Sequence, residues 1–142
     1  MYIGLQHLHS FTAYLTLAGI LAAIAAAAHL LVTGRERGKA DRITALAGMI
    51  LSHLQAVLGT VLYFVSPLGF SNFSGEAMGN ALSRLYLVEH PFAMVVGIVL
   101  VTVGYSVAKR KEEAAAAAKW VLGGYGLGLV LILSRIPWHA WF

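Results

Sequence analysis

Four stretches of this sequence are apolar, nearly free of charge and long enough to cross a lipid bilayer. A membrane-spanning helix needs about 20 mostly apolar residues. The stretches cover about residues 5–33, 43–65, 85–108 and 114–136, and the first two contain no Asp, Glu, Lys or Arg. Charged residues make up only 11% of the chain, against about 25% in a soluble domain. The sequence therefore predicts a single all-α transmembrane domain, residues 1–142, that forms an integral membrane four-helix bundle.

The connections between the spans predict the order of the helices in the bundle. They are short, and short connections favour an up-down-up-down arrangement in which the first and third spans face each other across the diagonal. The exception is the polar segment 67–83 between the second and third spans, which is predicted to be a loop with a short interfacial helix. In the fourth span, Gly124 and Gly128 form a small-xxx-small pair, which predicts close helix packing.

The basic residues predict the orientation in the membrane. Eight of the ten fall in or beside the first and third connections, while Arg84 and Arg135 lie toward the other side; the eight are Arg35, Arg37, Lys39, Arg42, Lys109, Arg110, Lys111 and Lys119. Basic residues are retained on the cytoplasmic side of a membrane. Both termini and the 67–83 loop are therefore predicted to lie outside the cytoplasm, with the protein in the cell's inner membrane. This pattern explains the net charge of +4 without a nucleic-acid partner.

The absence of cysteine narrows the chemistry that the chain can perform. It excludes disulfides, thiolate metal sites, iron–sulfur clusters and the Cys-x-x-Cys-His attachment of c-type haem. Any metal or haem must be held by other side chains, and histidine is the obvious candidate.

Two histidines share a depth on spans that are predicted to face each other. At about 1.5 Å per helical residue, His9 lies roughly 7 Å and His90 roughly 10 Å from the outer ends of their spans. A six-coordinate haem b held by two histidines needs the imidazoles at one level on facing helices, with the iron between them. We therefore interpret His9 and His90 as axial ligands of the iron of haem b.

The other histidines are less well placed for this role. His53 is deeper, at roughly 19 Å, and it could bind a second cofactor, relay protons, form hydrogen bonds or simply pack. His7 is two residues from His9, so the two side chains cannot point the same way on one helix; one faces the bundle and the other the headgroups or the haem propionates. His29 and His139 are interpreted as interfacial side chains.

Residues beside His90 support a cofactor site near the outer face. Glu89 precedes His90, and a carboxylate within a membrane span must be paired, protonated or near water. Pro91 follows, and because proline has no N–H it frees a backbone carbonyl one turn earlier. Arg84 and Arg135 could pair with haem propionates, since guanidinium binds carboxylate in a bidentate fork; otherwise they extend to the interface.

The sequence resembles a group of small four-helix membrane proteins, frequent in Bacteroidetes-type bacteria and labelled cytochrome b-like. The resemblance spans nearly the whole chain and rests on four segments: His7-Leu8-His9-Ser10-Phe11, Ser52-His53-Leu54-Gln55 with Leu58-Gly59 and Leu62-Tyr63-Phe64, Glu89-His90, and Ile136-Pro137-Trp138. The layout is more distantly similar to one four-helix half of haem A synthase, whose second helix carries a pattern like Gln55 to Gly59. That similarity implies that His9 and His90 are haem ligands. Haem A synthase has two such halves and this chain has one, so the resemblance does not extend to the synthase reaction.

Three kinds of function are compatible with the sequence. The first is a membrane b-type cytochrome that transfers electrons with a quinone or quinol, or with a subunit of a respiratory complex. The second is a membrane enzyme that modifies haem or oxidises porphyrin. The third is a copper-binding or zinc-binding, or purely structural, subunit of a larger complex, in which His7, His9, Glu89 and His90 hold the metal. A homo-oligomer is compatible with each.

Overall fold

The computed structural model describes residues 2–140, and every regular element within that range is helical. Four helices are long and apolar enough to cross a membrane, which confirms the predicted all-α class and indicates a multi-pass membrane protein. The elements are α1 (Tyr2–Thr33), α2 (Lys39–Val65), the short α3 (Gly75–Gly79), α4 (Ala81–Ala108) and α5 (Ala114–Ser134). Trp138–Ala140 forms a final 3-10 turn.

Three of the long helices begin before their predicted apolar spans, and the first of them, α1, starts at Tyr2 rather than at residue 5. Helix α2 starts at Lys39 rather than at residue 43, and α4 starts at Ala81 rather than at residue 85. The first turn of α2 is polar but still helical, because the Asp41 carboxylate accepts the backbone N–H of Gly38 in a capping arrangement. Apolar length therefore indicates the membrane span, whereas capping chemistry sets the helix end.

The four long helices pack as a ring. Helix α1 contacts α2 and α5, and α4 contacts the same two helices, so α1 and α4 are opposite members of the ring. The centre is filled by side chains such as Ile20, Val101 and Tyr125, each fully buried. The Tyr125 hydroxyl donates a hydrogen bond to the Ala45 carbonyl, which satisfies the one polar atom of this large side chain.

Glycines allow two pairs of helices to approach closely. A Cβ atom on Gly48 would lie 2.9 Å from the carbonyl oxygen of Gly19, so α1 and α2 cross at this pair. Helices α4 and α5 meet where Gly97 faces Gly128 and Gly104 faces Gly124. The prediction that Gly124 and Gly128 allow close helix packing is confirmed. The two helices that pack here belong to the same chain.

Polar contacts tie together the end of the bundle that carries most basic residues. Arg35 binds Asp41 through two nitrogens, at 2.7 and 2.8 Å, and Arg37 donates to the carbonyl of Ala108 at the end of α4. The hydrogen bond with Asp41 raises the pKa of Arg35, whereas partial burial lowers the pKa of Arg37. Both guanidinium groups stay positive at neutral pH, because arginine titrates far above it.

The opposite end of the bundle carries the 67–83 segment. It contains a 3-10 turn at Phe70–Asn72 and then α3, in agreement with the predicted short helix. The hydroxyl of Ser74 caps α3 by accepting the N–H of Ala77. Gly69 lies against the backbone of Tyr63, and a Cβ atom there would overlap the Tyr63 carbonyl oxygen. This turn therefore requires glycine, and it fixes the end of α2.

Candidate haem site

A cavity of about 260 Å³ lies inside the bundle at the end where α1 and α4 begin. All four long helices contribute to its wall, which is mostly apolar. His9 comes from α1 and His90 from α4; the apolar lining includes Leu17, Met94, Ile98, Ile132 and Ile136. Membrane helix bundles commonly place a cofactor in such a space between facing helices.

The His9 and His90 rings face each other across the ring of helices. Their centroids are 6.4 Å apart and their planes are nearly perpendicular, at 84°. The prediction that these two side chains meet at one depth therefore agrees with the structure. It also answers which of His7 and His9 points inward: His9 lines the cavity, whereas His7 is exposed.

The separation of the two rings suits ligation of one metal ion from two sides. An imidazole nitrogen binds a metal at about 2.0–2.1 Å, so two imidazoles on opposite sides of one ion have centroids roughly 6 to 6.5 Å apart. The observed 6.4 Å falls in that interval. The donor set therefore fits haem iron, for which the porphyrin supplies the remaining ligands.

A hydrogen bond through Nδ1 leaves the other ring nitrogen of His90, Nε2, available as a metal ligand. Nδ1 lies 2.8 Å from the backbone carbonyl of Arg135. A carbonyl oxygen can only accept, so Nδ1 carries the proton and Nε2 keeps a free lone pair. Metal-binding histidines usually have this kind of second contact, which fixes the tautomer and the ring orientation. Sequence reasoning gave Arg135 a side-chain role and missed the role of its carbonyl.

The backbone of α4 is irregular just before His90. Leu85–Glu89 forms a π turn in which the N–H of His90 bonds back to Leu85, and Pro91 follows. Proline cannot donate to the carbonyl four residues earlier, that of Leu87. The hydroxyl of Tyr63, on α2, donates to this carbonyl instead, at 3.0 Å. Tyr63 therefore clamps the turn that carries His90.

We expect Tyr63→Phe to destabilise the protein by about 1 kcal/mol, because it leaves the Leu87 carbonyl without this donor. Pro91→Ala restores an N–H at residue 91, so Tyr63→Phe should cost less in that background. A double-mutant cycle measured by unfolding in mixed micelles tests this coupling. Equal costs of Tyr63→Phe in both backgrounds would show that Tyr63 does not replace the missing proline donor.

The His9 ring is fixed from α2 by residues one turn apart. The Gln55 amide nitrogen donates to the His9 carbonyl at 2.8 Å and lies 3.2 and 3.4 Å from the two ring nitrogens. If the amide nitrogen lay in the plane of the ring at these two distances, it would overlap Cε1, the carbon between the two ring nitrogens. The amide nitrogen therefore lies above the face of the His9 ring. Thr12 donates to the Gln55 side-chain oxygen. The in-plane lone pair of His9 therefore stays free for a ligand.

Gly59, one turn after Gln55, leaves room for the His9 ring. A Cβ atom at residue 59 would lie 3.0 Å from Cε1 of His9. The spacing of Gln55 and Gly59, seen in the sequence only as part of a resemblance, thus has a physical reason: both residues contact one histidine.

We expect Gly59→Ala to push the His9 ring toward the cavity by a few tenths of an ångström and to weaken haem binding by up to roughly tenfold, as loss of outer-shell support does in metal sites. Stability should change little, because the ring can move. Gly4→Ala is the matched control, since a Cβ there meets nothing within 4 Å. Haem titration measures both variants; equal affinities would show that the contact does not position His9.

Glu89 forms ion pairs with both Arg84 and Arg135, at the end of the bundle that carries the cavity. Arg84 Nε donates to one carboxylate oxygen at 2.8 Å, and Arg135 Nε lies 3.5 Å from the other. Arg84 also donates to the Met78 carbonyl. The two guanidinium groups thus share one carboxylate and retain one net positive charge. Neither arginine lines the cavity, so their pairing with haem propionates stays a prediction.

The other histidines lie away from the cavity. His53 is exposed on α2 and contacts Met49 and Thr102. His29 is exposed near the end of α1, and Nε2 of the exposed His139 lies 3.0 Å from the Tyr86 hydroxyl. Across residues 2–140, no three His, Cys, Asp or Glu side chains come together as a metal-binding group. The set His7, His9, Glu89 and His90 is therefore not assembled.

Comparison of the chain with models of known protein families, with characterised proteins and with solved structures finds no match in any of the three. The functional argument therefore depends on the geometry of the site.

Proposed function

We propose that this chain is a membrane b-type cytochrome that binds one haem b, with His9 and His90 as the axial ligands. The observation that carries the proposal is the pair of imidazoles 6.4 Å apart at the wall of an apolar cavity inside the bundle. Bound haem would supply one-electron chemistry through its iron.

The chain's own residues hold and tune the site. The Arg135 carbonyl sets the tautomer of His90, while Gln55 and Gly59 set the position of His9. The mostly apolar lining would disfavour water beside a bound haem, and axial ligation and burial set the reduction potential of a haem. Arg84 and Arg135, with their one surplus positive charge, would favour the two propionates at the outer end of the cavity.

The proposal is favoured over a copper or zinc site by the number of donors. Such sites normally take three or four protein ligands, and the described residues bring together no group of three. Haem needs only the axial ligands from the protein, and two are present. A haem-modifying or porphyrin-oxidising enzyme would need further reactive side chains at the cavity. None of the contacts made by the residues that line the cavity favours that function.

We further propose an up-down-up-down bundle in the inner membrane, with both termini outside the cytoplasm. Support comes from contacts that join helix ends: Arg37, before α2, reaches Ala108 at the end of α4, whereas Tyr63, late in α2, reaches Leu87 early in α4. Helices α2 and α4 therefore run in opposite directions. The basic connections would face the cytoplasm, and the haem would lie nearer the outer face.

One haem near one face does not by itself carry electrons across the membrane. We propose that a lipid-soluble quinol or a subunit of a respiratory complex supplies or accepts the electrons, and the chain could act as a monomer or as a homo-oligomer.

The test is a reduced-minus-oxidised visible spectrum of the protein purified from haem-sufficient cells, with haem content per chain and metal analysis on the same sample. We expect a b-type signal with one haem per chain and no stoichiometric copper or zinc. A protein that purifies folded without haem, and takes up none on titration, contradicts the proposal; stoichiometric copper or zinc would favour the metal-binding subunit instead.

A further inference from the structure

The net positive charge of the chain lies at one end of the bundle, where α2 begins and α4 finishes. Eight of the ten basic residues fall there, together with four of the six acidic ones: Glu36, Asp41, Glu112 and Glu113. The other end has two basic and two acidic residues. The whole net charge of +4 is therefore concentrated at the end opposite the haem site.

Contacts of the Ala108 carbonyl bring part of this charge together. Ala108 is the last residue of α4, and its carbonyl oxygen accepts from Arg37 Nη1 at 2.9 Å and from the backbone N–H of Lys111 at 3.1 Å. The turn 109–111, which holds three basic residues, therefore lies beside the Arg37 guanidinium. Arg42 lies in the first turn of α2. We call this set the basic cluster: Arg37, Arg42, Lys109, Arg110 and Lys111.

Within residues 2–140, no carboxylate forms an ion pair with the basic cluster. The nearby Asp41 is engaged by Arg35, which uses both of its carboxylate oxygens. Burial lowers the pKa of Arg37, and the positive charge of Arg42 lowers it further, by more than the charge of Asp41 raises it. Like charges therefore dominate around Arg37, and the basic cluster attracts an anion from outside the chain.

The surroundings of the basic cluster indicate which anion it suits. Helices α2 and α4 are candidate membrane spans, so the cluster lies where the hydrocarbon ends and the phosphates of the phospholipids begin. Further along the same two helices, the exposed side chains are apolar, among them Ile43 and Ile50 on α2 and Val99 and Val103 on α4. A phospholipid matches both parts, since its phosphate pairs with guanidinium and ammonium groups and its acyl chains cover the apolar surface.

We propose that the basic cluster binds the headgroup of an anionic phospholipid, such as phosphatidylglycerol, whose acyl chains lie along the exposed apolar surface of α2 and α4. Arg37 already joins these helices through the Ala108 carbonyl. A phosphate between Arg42 on α2 and the turn 109–111 after α4 adds a second link at the same junction. The proposal needs only the membrane spans and is independent of the haem site.

The experiment measures how strongly spin-labelled lipids associate with the full chain in phosphatidylcholine bilayers, from the fraction of label whose motion the protein restricts. We expect spin-labelled phosphatidylglycerol to associate several-fold more strongly than spin-labelled phosphatidylcholine. A basic residue near a membrane surface contributes about fivefold to the affinity for anionic lipid. Arg42→Gln and Lys109→Gln should therefore each lower the preference by up to about fivefold. Both side chains are exposed, so neither substitution disturbs the packed core.

Charge-conserving variants and a lysine outside the basic cluster provide the controls. Arg42→Lys and Lys109→Arg should retain the preference for phosphatidylglycerol. Lys119→Gln removes the same charge from an exposed position on α5 and should also retain it.

Three results would overturn the lipid site. The first is equal association of the two labelled lipids with the unmodified protein. The second is an equal loss of preference in Lys119→Gln and Arg42→Gln, which would show diffuse attraction to net charge instead of binding at the basic cluster. The third is displacement of labelled phosphatidylglycerol by an oligonucleotide, which would assign the basic cluster to a nucleic-acid partner.

Discussion

His90→Ala is expected to abolish stable haem binding, with a loss of affinity above roughly 100-fold, the upper end of what removal of an outer-shell partner costs a metal site. The variant loses one of the two imidazoles that face each other at 6.4 Å. The remaining His9 would bind haem weakly and leave one axial position open. The visible spectrum of the purified variant, with haem content per chain, measures the loss.

Matched histidine variants control for general effects of the substitution. His7→Ala and His29→Ala change exposed histidines of α1 that do not line the cavity, so both should retain full haem content. Added imidazole should restore part of the low-spin spectrum of His90→Ala, because it can occupy the space of the missing side chain. A His90→Ala protein with an unchanged haem spectrum would exclude His90 as a ligand.

The second large effect is expected from Gly124→Ala, which should destabilise the bundle by about 1–3 kcal/mol, the usual cost of overpacking. A Cβ atom on Gly124 would lie 2.6 Å from the Cα atom of Gly104 and 2.6 Å from the carbonyl oxygen of Leu100. Both are backbone atoms that cannot rotate away, so α4 and α5 must separate. Unfolding in mixed micelles gives the change in free energy.

Gly123 provides the control within the same turn of α5. A Cβ atom on Gly123 meets nothing within 4 Å, so Gly123→Ala should leave stability unchanged or raise it slightly through better helix propensity. If both variants were equally stable, the close approach of α4 and α5 would not contribute to folding. Because Met94 and Ile132, on these helices, line the cavity, Gly124→Ala should also lower haem content.

Much of the fold could be predicted because the membrane restricts what a chain can do. Uninterrupted apolar length is enough to indicate a span, and the four predicted spans correspond to four long helices. The meeting of His9 and His90 could be predicted from their depths once a ring of four helices was assumed. The polar first turn of α2 and the early start of α4 were not predicted, because they depend on capping rather than on hydrophobicity.

The supporting contacts of the site were harder to predict, since each joins distant parts of the chain. Pro91 indicated that a carbonyl would need a donor, but nothing in the sequence identified Tyr63 as that donor. The Gln55 amide reaches His9 only because α1 and α2 cross closely at Gly19 and Gly48. The pairing of Glu89 with Arg135 depends in the same way on where α5 ends.

The most direct test of the central claim is the electron paramagnetic resonance spectrum of the oxidised protein. The His9 and His90 ring planes are 84° apart, and two imidazoles with nearly perpendicular planes give ferric haem a highly anisotropic low-spin signal. We predict that signal in the unmodified protein and its loss in both His9→Ala and His90→Ala. A high-spin signal in the unmodified protein, or a low-spin signal that survives either substitution, would contradict ligation of one haem by this pair.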